Sequence, residues 1–121
     1  FTERTNFMRK IALLIALSIS FIGCSQTKID KVKFTFLMKN QNAKILDVRT
    51  PSEFADGHIQ GAVNINYFSD QFLPICEKQI PKNATVLVYR AAGGRSEQAC
   101  RVLKKAGYQV LYDLKGGYDA W

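Results

Sequence analysis

The residues best suited to chemistry stand together in Val86–Ser96, V-L-V-Y-R-A-A-G-G-R-S. Val86, Leu87, Val88 and Tyr89 form a short apolar run that stops at four small residues, Ala91, Ala92, Gly93 and Gly94. Arg95 and Ser96 follow, and a helical pattern begins at Glu97. A strand that feeds a small-residue loop opening onto a helix start is how α/β folds cradle an anion. The glycines let the backbone curl, its N–H groups turn inward, and the first helical turn adds partial positive charge. The candidate anion-binding loop is therefore Ala91, Ala92, Gly93, Gly94, Arg95 and Ser96, with Arg95 as the positioned donor. Arg90, at the mouth of the loop, is different. A guanidinium keeps its proton at any working pH and offers donors only, so it can neither attack an electrophile nor carry a transferred group.

Other candidate groups have quieter readings. Asp47 and Arg49 lie two apart at the end of an apolar run, near where parallel sheets bind ligands, and read as an internal ion pair holding a loop. His58 is the only histidine, and it reads as the pin of a loop rather than a base. Of the three cysteines, Cys100 falls on the apolar side of the helix after the loop, and Cys76 sits before a turn with no basic surroundings. Cys24 belongs to a different part of the chain. No C-x-x-C pair occurs, and one histidine with three scattered cysteines makes no metal-ligand set, so neither a metal nor an organic cofactor is implied.

The elements that must position these groups follow from pattern. Ala43–Val48 reads as a buried parallel strand. Thr50-Pro51-Ser52-Glu53 reads as a helix N-cap, a proline at the first helical position and an acid in the first turn, with Gly57 ending that helix. Ala62–Ile65 is a second strand. Phe68, Phe72, Ile75, Cys76 and Ile80 recur at helical spacing, with Pro74 expected to kink or restart the helix. After a turn at Pro81-Lys82-Asn83 come a strand at Thr85–Tyr89 and a helix over Ser96–Ala106, with Ala99, Cys100, Leu103 and Ala106 on one face and Gly107 as its C-cap. Val110–Leu114 is the last strand, Gly116-Gly117 a turn, and Tyr118–Trp121 the start of a final helix. Phe34–Lys39 fits either a short helix or a strand–helix junction. Strands alternating with short helices give an α/β fold, a single domain with a mostly parallel central sheet flanked by helices.

The first residues carry another kind of signal. Arg9 and Lys10 follow Met8, and Ile11–Ile22 is apolar apart from Ser18 and Ser20. Gly23-Cys24 comes next. A positive n-region, a short h-region and a small residue before a cut describe a secretory signal, and the apolar run is short for a membrane-spanning helix, which needs about 20 residues. F-I-G-C resembles the lipobox of bacterial lipoproteins, with Phe21 in place of the usual leucine, and the resemblance implies that Cys24 is lipidated. The expected division is residues 1–23 as upstream residues and signal peptide starting at Met8, 24–33 as lipidated cysteine and polar tether, and 34–121 as the domain. The whole sequence carries a net charge of +7. Its basic residues are scattered and not interleaved with stacking aromatics, so the charge suits small anions or lipid head groups rather than nucleic acid.

The ordered motifs resemble the rhodanese family of sulfurtransferase domains. L-D-V-R-T-P-S-E-F (Leu46–Phe54) and G-H-I-Q-G-A-V-N (Gly57–Asn64) are similar to its first two signatures, V-Y-R-A-A-G-G-R-S (Val88–Ser96) lies where its active-site loop stands, and L-K-G-G-Y-D-A-W (Leu114–Trp121) is similar to its closing motif. The resemblance implies a cysteine at the end of the central strand that takes sulfane sulfur from a donor such as thiosulfate, holds it as a persulfide and passes it to cyanide or a thiol. Four residues between that cysteine and a terminal arginine, here Ala91–Gly94 before Arg95, suit a sulfur-sized anion. One residue more would suit phosphate. At the nucleophile position this chain has Arg90.

Three functions stay open on the sequence. The favoured one is an exported lipoprotein of the bacterial cell envelope, facing the periplasm, whose rhodanese-like domain binds a small sulfur-containing anion, a thiol or a partner without catalysis. Arg90 is then expected to swing outward, because the helix N-terminus repels a guanidinium pointed into the cradle. The second is an active thiosulfate-type sulfurtransferase whose cysteine is lost here by variation or sequence error. The third is a redox or partner module using Cys76 and Cys100, paired or free.

Overall fold

The computed structural model describes residues 27–92 and 96–121. The segment read as a signal sequence, Cys24, and Gly93, Gly94 and Arg95 of the loop lie outside the described residues. Five strands, β1 (Thr27–Ile29), β2 (Ala43–Asp47), β3 (Val63–Asn64), β4 (Thr85–Tyr89) and β5 (Val110–Leu114), form one sheet in the order β1-β5-β4-β2-β3. Every pairing is parallel. Four helices connect them: α1 (Lys31–Leu37), α2 (Pro51–Asp56), α3 (Phe72–Gln79) and α4 (Ser96–Lys105). A 3₁₀ turn over Tyr118–Ala120 closes the described chain.

Alternation along β4 decides the layering. Val86 and Val88 point to one face and Leu87 and Tyr89 to the other, as a period of two requires. On the first face they pack with Leu46, Phe72, Cys76, Ala99, Cys100 and Leu103, so α3 and α4 cover that side. On the second face Leu87 and Tyr89 pack with Ile29, Phe34, Ile45 and Ile59, so α1 and the segment after α2 cover the other. A central strand buried on both faces reads as a continuous apolar run, which is why T-V-L-V-Y was legible.

Three local expectations change or narrow. Residues 27–33, read from the sequence as tether, are instead the edge strand β1 and the first turn of α1. β1 is polar and three residues long; it exists because Thr27, Lys28 and Ile29 pair with Tyr112, Asp113 and Leu114. Phe34 belongs to helix, with Asp30 as N-cap accepting from Lys33 N at 2.8 Å. Of the two expectations for Pro74, a kink or a restart, the second fits: α3 starts at Phe72 and places Pro74 in its first turn, where the missing N–H has no intrahelical partner to lose. The T-P-S-E reading matches in detail. Thr50 Oγ1 accepts from Glu53 N, and Glu53 Oε1 accepts from Thr50 N at 3.2 Å, a complete capping box. Among the described residues no helix is long and apolar enough to cross a membrane.

Candidate anion-binding site

The C-terminal ends of β2, β4 and β5 lie side by side, and their last residues build the floor of the site. Asp47 ends β2, fully buried, and Arg49 follows it at 5% exposure. Arg49 Nε lies 3.1 Å from both Asp47 oxygens, and its Nη2 donates to Asp47 Oδ2 at 2.7 Å and to the Gly57 carbonyl at 2.6 Å. Its guanidinium carbon stands 4.4 Å from the Tyr118 ring centroid and 5.5 Å from that of Tyr89. Burial works against the charge on Arg49, but hydrogen bonding to and charge from Asp47 outweigh it and hold the guanidinium above its ordinary pKa. Asp47 and Arg49 are thus brought together as an internal ion pair that ties β2 to the turn at Gly57.

Tyr89 is a floor residue that the sequence reading treated only as strand. Its hydroxyl accepts from Ile59 N at 3.1 Å, and its ring stacks obliquely on Tyr118 at 6.0 Å. Burial, reinforced by Asp47, pushes the phenol far above its usual range, so it is a neutral brace. His58 lies outside this cluster of contacts: its ring is stacked on Phe54 at 3.7 Å, and Nδ1 lies 2.9 Å from the Phe54 carbonyl, an N–H donating to oxygen.

The loop leaves β4 at Arg90, and its first two carbonyls are held by the closing turn. Tyr118 N donates to the Arg90 carbonyl at 2.5 Å and Asp119 N to that of Ala91 at 2.9 Å. Gly117 makes this approach possible. At φ +63 and ψ −160 it occupies a region open essentially to glycine alone, and a Cβ there would come within 2.9 Å of the Ala91 carbonyl, with Arg90's carbonyl oxygen nearer still. Gly117→Ala is therefore expected to destabilise the domain by about 2–3 kcal/mol, read as a lower urea midpoint followed through Trp121 fluorescence. An unchanged midpoint would show that the closing turn does not bear on the loop.

At its far end the loop enters α4 through Ser96. Ser96 Oγ donates to Asp113 Oδ1 at 2.5 Å, and both residues are buried. Burial raises the Asp113 pKa, while the Ser96 hydrogen bond and Lys28 pull it back. Lys28, on edge strand β1, pairs with Glu97 at 2.5 Å in the first turn of the same helix. Both ends of the loop are fixed by contacts that span the sheet.

Arg90 packs on an aromatic ring: its guanidinium carbon lies 4.9 Å from the Phe68 ring centroid. Its Nη1 is buried without an acceptor among the described residues. An N–H so placed costs free energy until an acceptor reaches it. The two described thiols are no substitute nucleophiles. Cys76 and Cys100 are fully buried, unpaired as a disulfide, and each is pushed up to about 12, by burial first and then by the charge of Glu77 for Cys76 and of Asp113 and Glu97 for Cys100. At neutral pH almost none of either is thiolate. Among the described residues no group of three or more His, Cys, Asp or Glu could hold a metal ion.

Comparison with known proteins returns the same fold. The model of the rhodanese-like domain matches residues 33–121. The chain belongs to the rhodanese-like family. It is 36% identical over 85 residues to a sulfurtransferase of Allochromatium vinosum, covering 70% of this chain and 77% of that protein. It is 30% identical over 95 residues to the thiosulfate sulfurtransferase GlpE of Tolumonas auensis, covering 78% and 87%. Among solved structures, the rhodanese-like domain of the Anabaena sp. Alr3790 protein superposes with a TM-score of 0.69 at 30% identity, covering 80% of this chain and 74% of that one. The larger EanB shares the fold (TM-score 0.68, 23% identity), and this rhodanese-like chain, 82% covered, spans 26% of it.

Proposed function

We propose that this protein is an exported bacterial lipoprotein, anchored through Cys24 and facing the periplasm, whose rhodanese-like domain binds a small sulfur oxyanion such as thiosulfate without carrying sulfur covalently. The observation that carries the reading is Arg90: it stands at the end of the central strand, where the family's persulfide cysteine is expected. Its guanidinium lies over Phe68 with one buried nitrogen lacking an acceptor among the described residues. The Arg90 and Ala91 carbonyls are held by backbone N–H groups of the closing turn, an arrangement independent of the side chain at position 90. An oxyanion beside Arg90 would give Nη1 an acceptor, with the positive end of α4 favouring its charge.

Calorimetric titration with thiosulfate and with sulfate tests this. Binding in the millimolar range or tighter is expected, weakened about tenfold by Arg90→Ala, since a hydrogen bond to a charged group is worth about 1.5–3 kcal/mol. No heat at millimolar ligand would overturn the anion-binding reading. The sulfurtransferase names of the relatives favour a second reading, that an ordinary sulfur carrier lost its cysteine by a single replacement; the cysteine-restored variant considered in the Discussion addresses it.

A further inference from the structure

Helix α1 buries Phe34 but leaves Val32 79% and Phe36 66% exposed. With Lys31, Thr35 and Lys39 these two line a shallow groove along the outer side of the helix. The stripe is continuous because 32 and 36, and 35 and 39, are i and i+4 neighbours. Topology fixes which end of the domain it reaches. The strands all run one way, and α1 returns from the top of β1 to the bottom of β2, so it runs against them. Lys31 therefore lies at the cradle end, where its Nζ reaches the Trp121 carbonyl at 2.5 Å. Phe36 and Lys39 lie at the opposite end, where the chain enters β1 at Thr27.

We infer that this face of α1 rests on an anionic lipid bilayer, so that the anion site is held pointing away from the membrane. The inference rests on the lipid-anchor reading of Cys24. Only three steps of chain separate Cys24 from Thr27, a reach of at most about 11 Å even fully extended. An anchored domain of that reach has no freedom to turn its lower end from the head groups. What that end presents is Phe36 beside Lys39, with Val32 and Lys33 exposed higher on the helix, and neither lysine is in an ion pair among the described residues. The nearest acid on the element, Asp30, is spent as its N-cap at the far end. Apolar side chains flanked by unpaired lysines suit an interface that is apolar beneath and anionic above.

The test uses the full chain reconstituted on vesicles of phosphatidylglycerol and phosphatidylethanolamine containing brominated acyl chains. A Phe36→Trp variant reports at the docking face and a Phe68→Trp variant at the cradle end, each with Trp121→Phe to remove the native signal. Strong quenching at position 36 and little at 68 is expected, with quenching at 36 reduced about fivefold by Lys39→Glu or by replacing the anionic lipid with phosphatidylcholine. Equal quenching at both positions overturns the orientation. A blue shift at 36 without quenching also overturns it, showing a protein partner or a second copy on the face. A chain that fails to sediment with vesicles at all removes the anchor reading itself, a failure distinct from either.

Discussion

Arg90→Cys is expected to produce thiosulfate-dependent thiocyanate formation on the order of 10³-fold or more above the unmodified chain, which is expected to show none. The chemistry needs one atom that Arg90 cannot supply, a lone-pair nucleophile of low proton affinity. A thiolate there would attack the outer sulfur of thiosulfate, breaking its S–S bond and releasing sulfite. Cyanide would then take the outer sulfur from the persulfide and return the thiolate. Everything else that the step requires on the described side of the loop is independent of position 90. The first two carbonyls are fixed by Tyr118 and Asp119, and the helix that receives the loop is fixed by Ser96 on Asp113 and by Lys28 on Glu97. Removing the guanidinium costs the contact with Phe68, worth about 0.5–1 kcal/mol at an exposed ring, so folding should survive. A folded but inert variant would mean that the loop is no longer a sulfur cradle, and a binding role would stand alone. Turnover by the unmodified chain would overturn the non-catalytic reading, with Cys76 and Cys100 poor candidates because burial holds both thiols near 12.

What was legible in the sequence was what is decided locally. The capping box at Thr50 and Glu53 needs four residues and nothing beyond them, and it was readable from those four. The buried strands were readable because both faces demand apolar side chains. The illegible parts depend on partners far away in sequence. β1 has no strand signature of its own and is held by β5, more than eighty residues on. Asp113 lies within the strand expected over Val110–Leu114, and nothing local shows that it is buried and grips Ser96. Gly117 reads as a turn residue, and only the approach of Arg90's carbonyl shows why the position accepts nothing larger. Tyr108 falls between the expected elements, and its hydroxyl donates to the carbonyls of Cys76 and Ile80 and so closes the end of α3. The sequence offers the site as an expected loop with Arg90 at its mouth; the brace beneath it, Tyr89 and Tyr118 against Arg49, was not legible, since aromatic residues carry no sequence mark of which charge they will cover.

That brace sets the second large effect. Asp47→Ala is expected to destabilise the domain by about 3–5 kcal/mol, because it leaves the Arg49 guanidinium buried against two tyrosine rings, with the Gly57 carbonyl as its remaining charge-balancing acceptor among the described residues. Arg49→Lys should cost less but not little. An ammonium can meet one carboxylate oxygen, yet it cannot span both oxygens and the Gly57 carbonyl as the planar fork does. The diagnostic variant is the pair Asp47→Leu with Arg49→Met. If the pair acts as a charge couple in a dry pocket, removing both charges should cost less than removing Asp47 alone, since no ion is left uncompensated. Urea denaturation of these variants, and of Asp47→Leu and Arg49→Met alone, reads this as midpoints at constant slope. A double variant as unstable as the sum of its single replacements would mean that the two side chains act separately, Asp47 on the Arg49 backbone N–H at 2.8 Å and Arg49 on Gly57. The same variants connect the brace to the site. Tyr118 supplies both the ring over Arg49 and the N–H on Arg90's carbonyl, so loss of the ion pair should weaken thiosulfate binding even under conditions where the chain stays folded. Binding unchanged in a folded Asp47→Ala variant would separate the floor from the loop and confine the ion pair to stability.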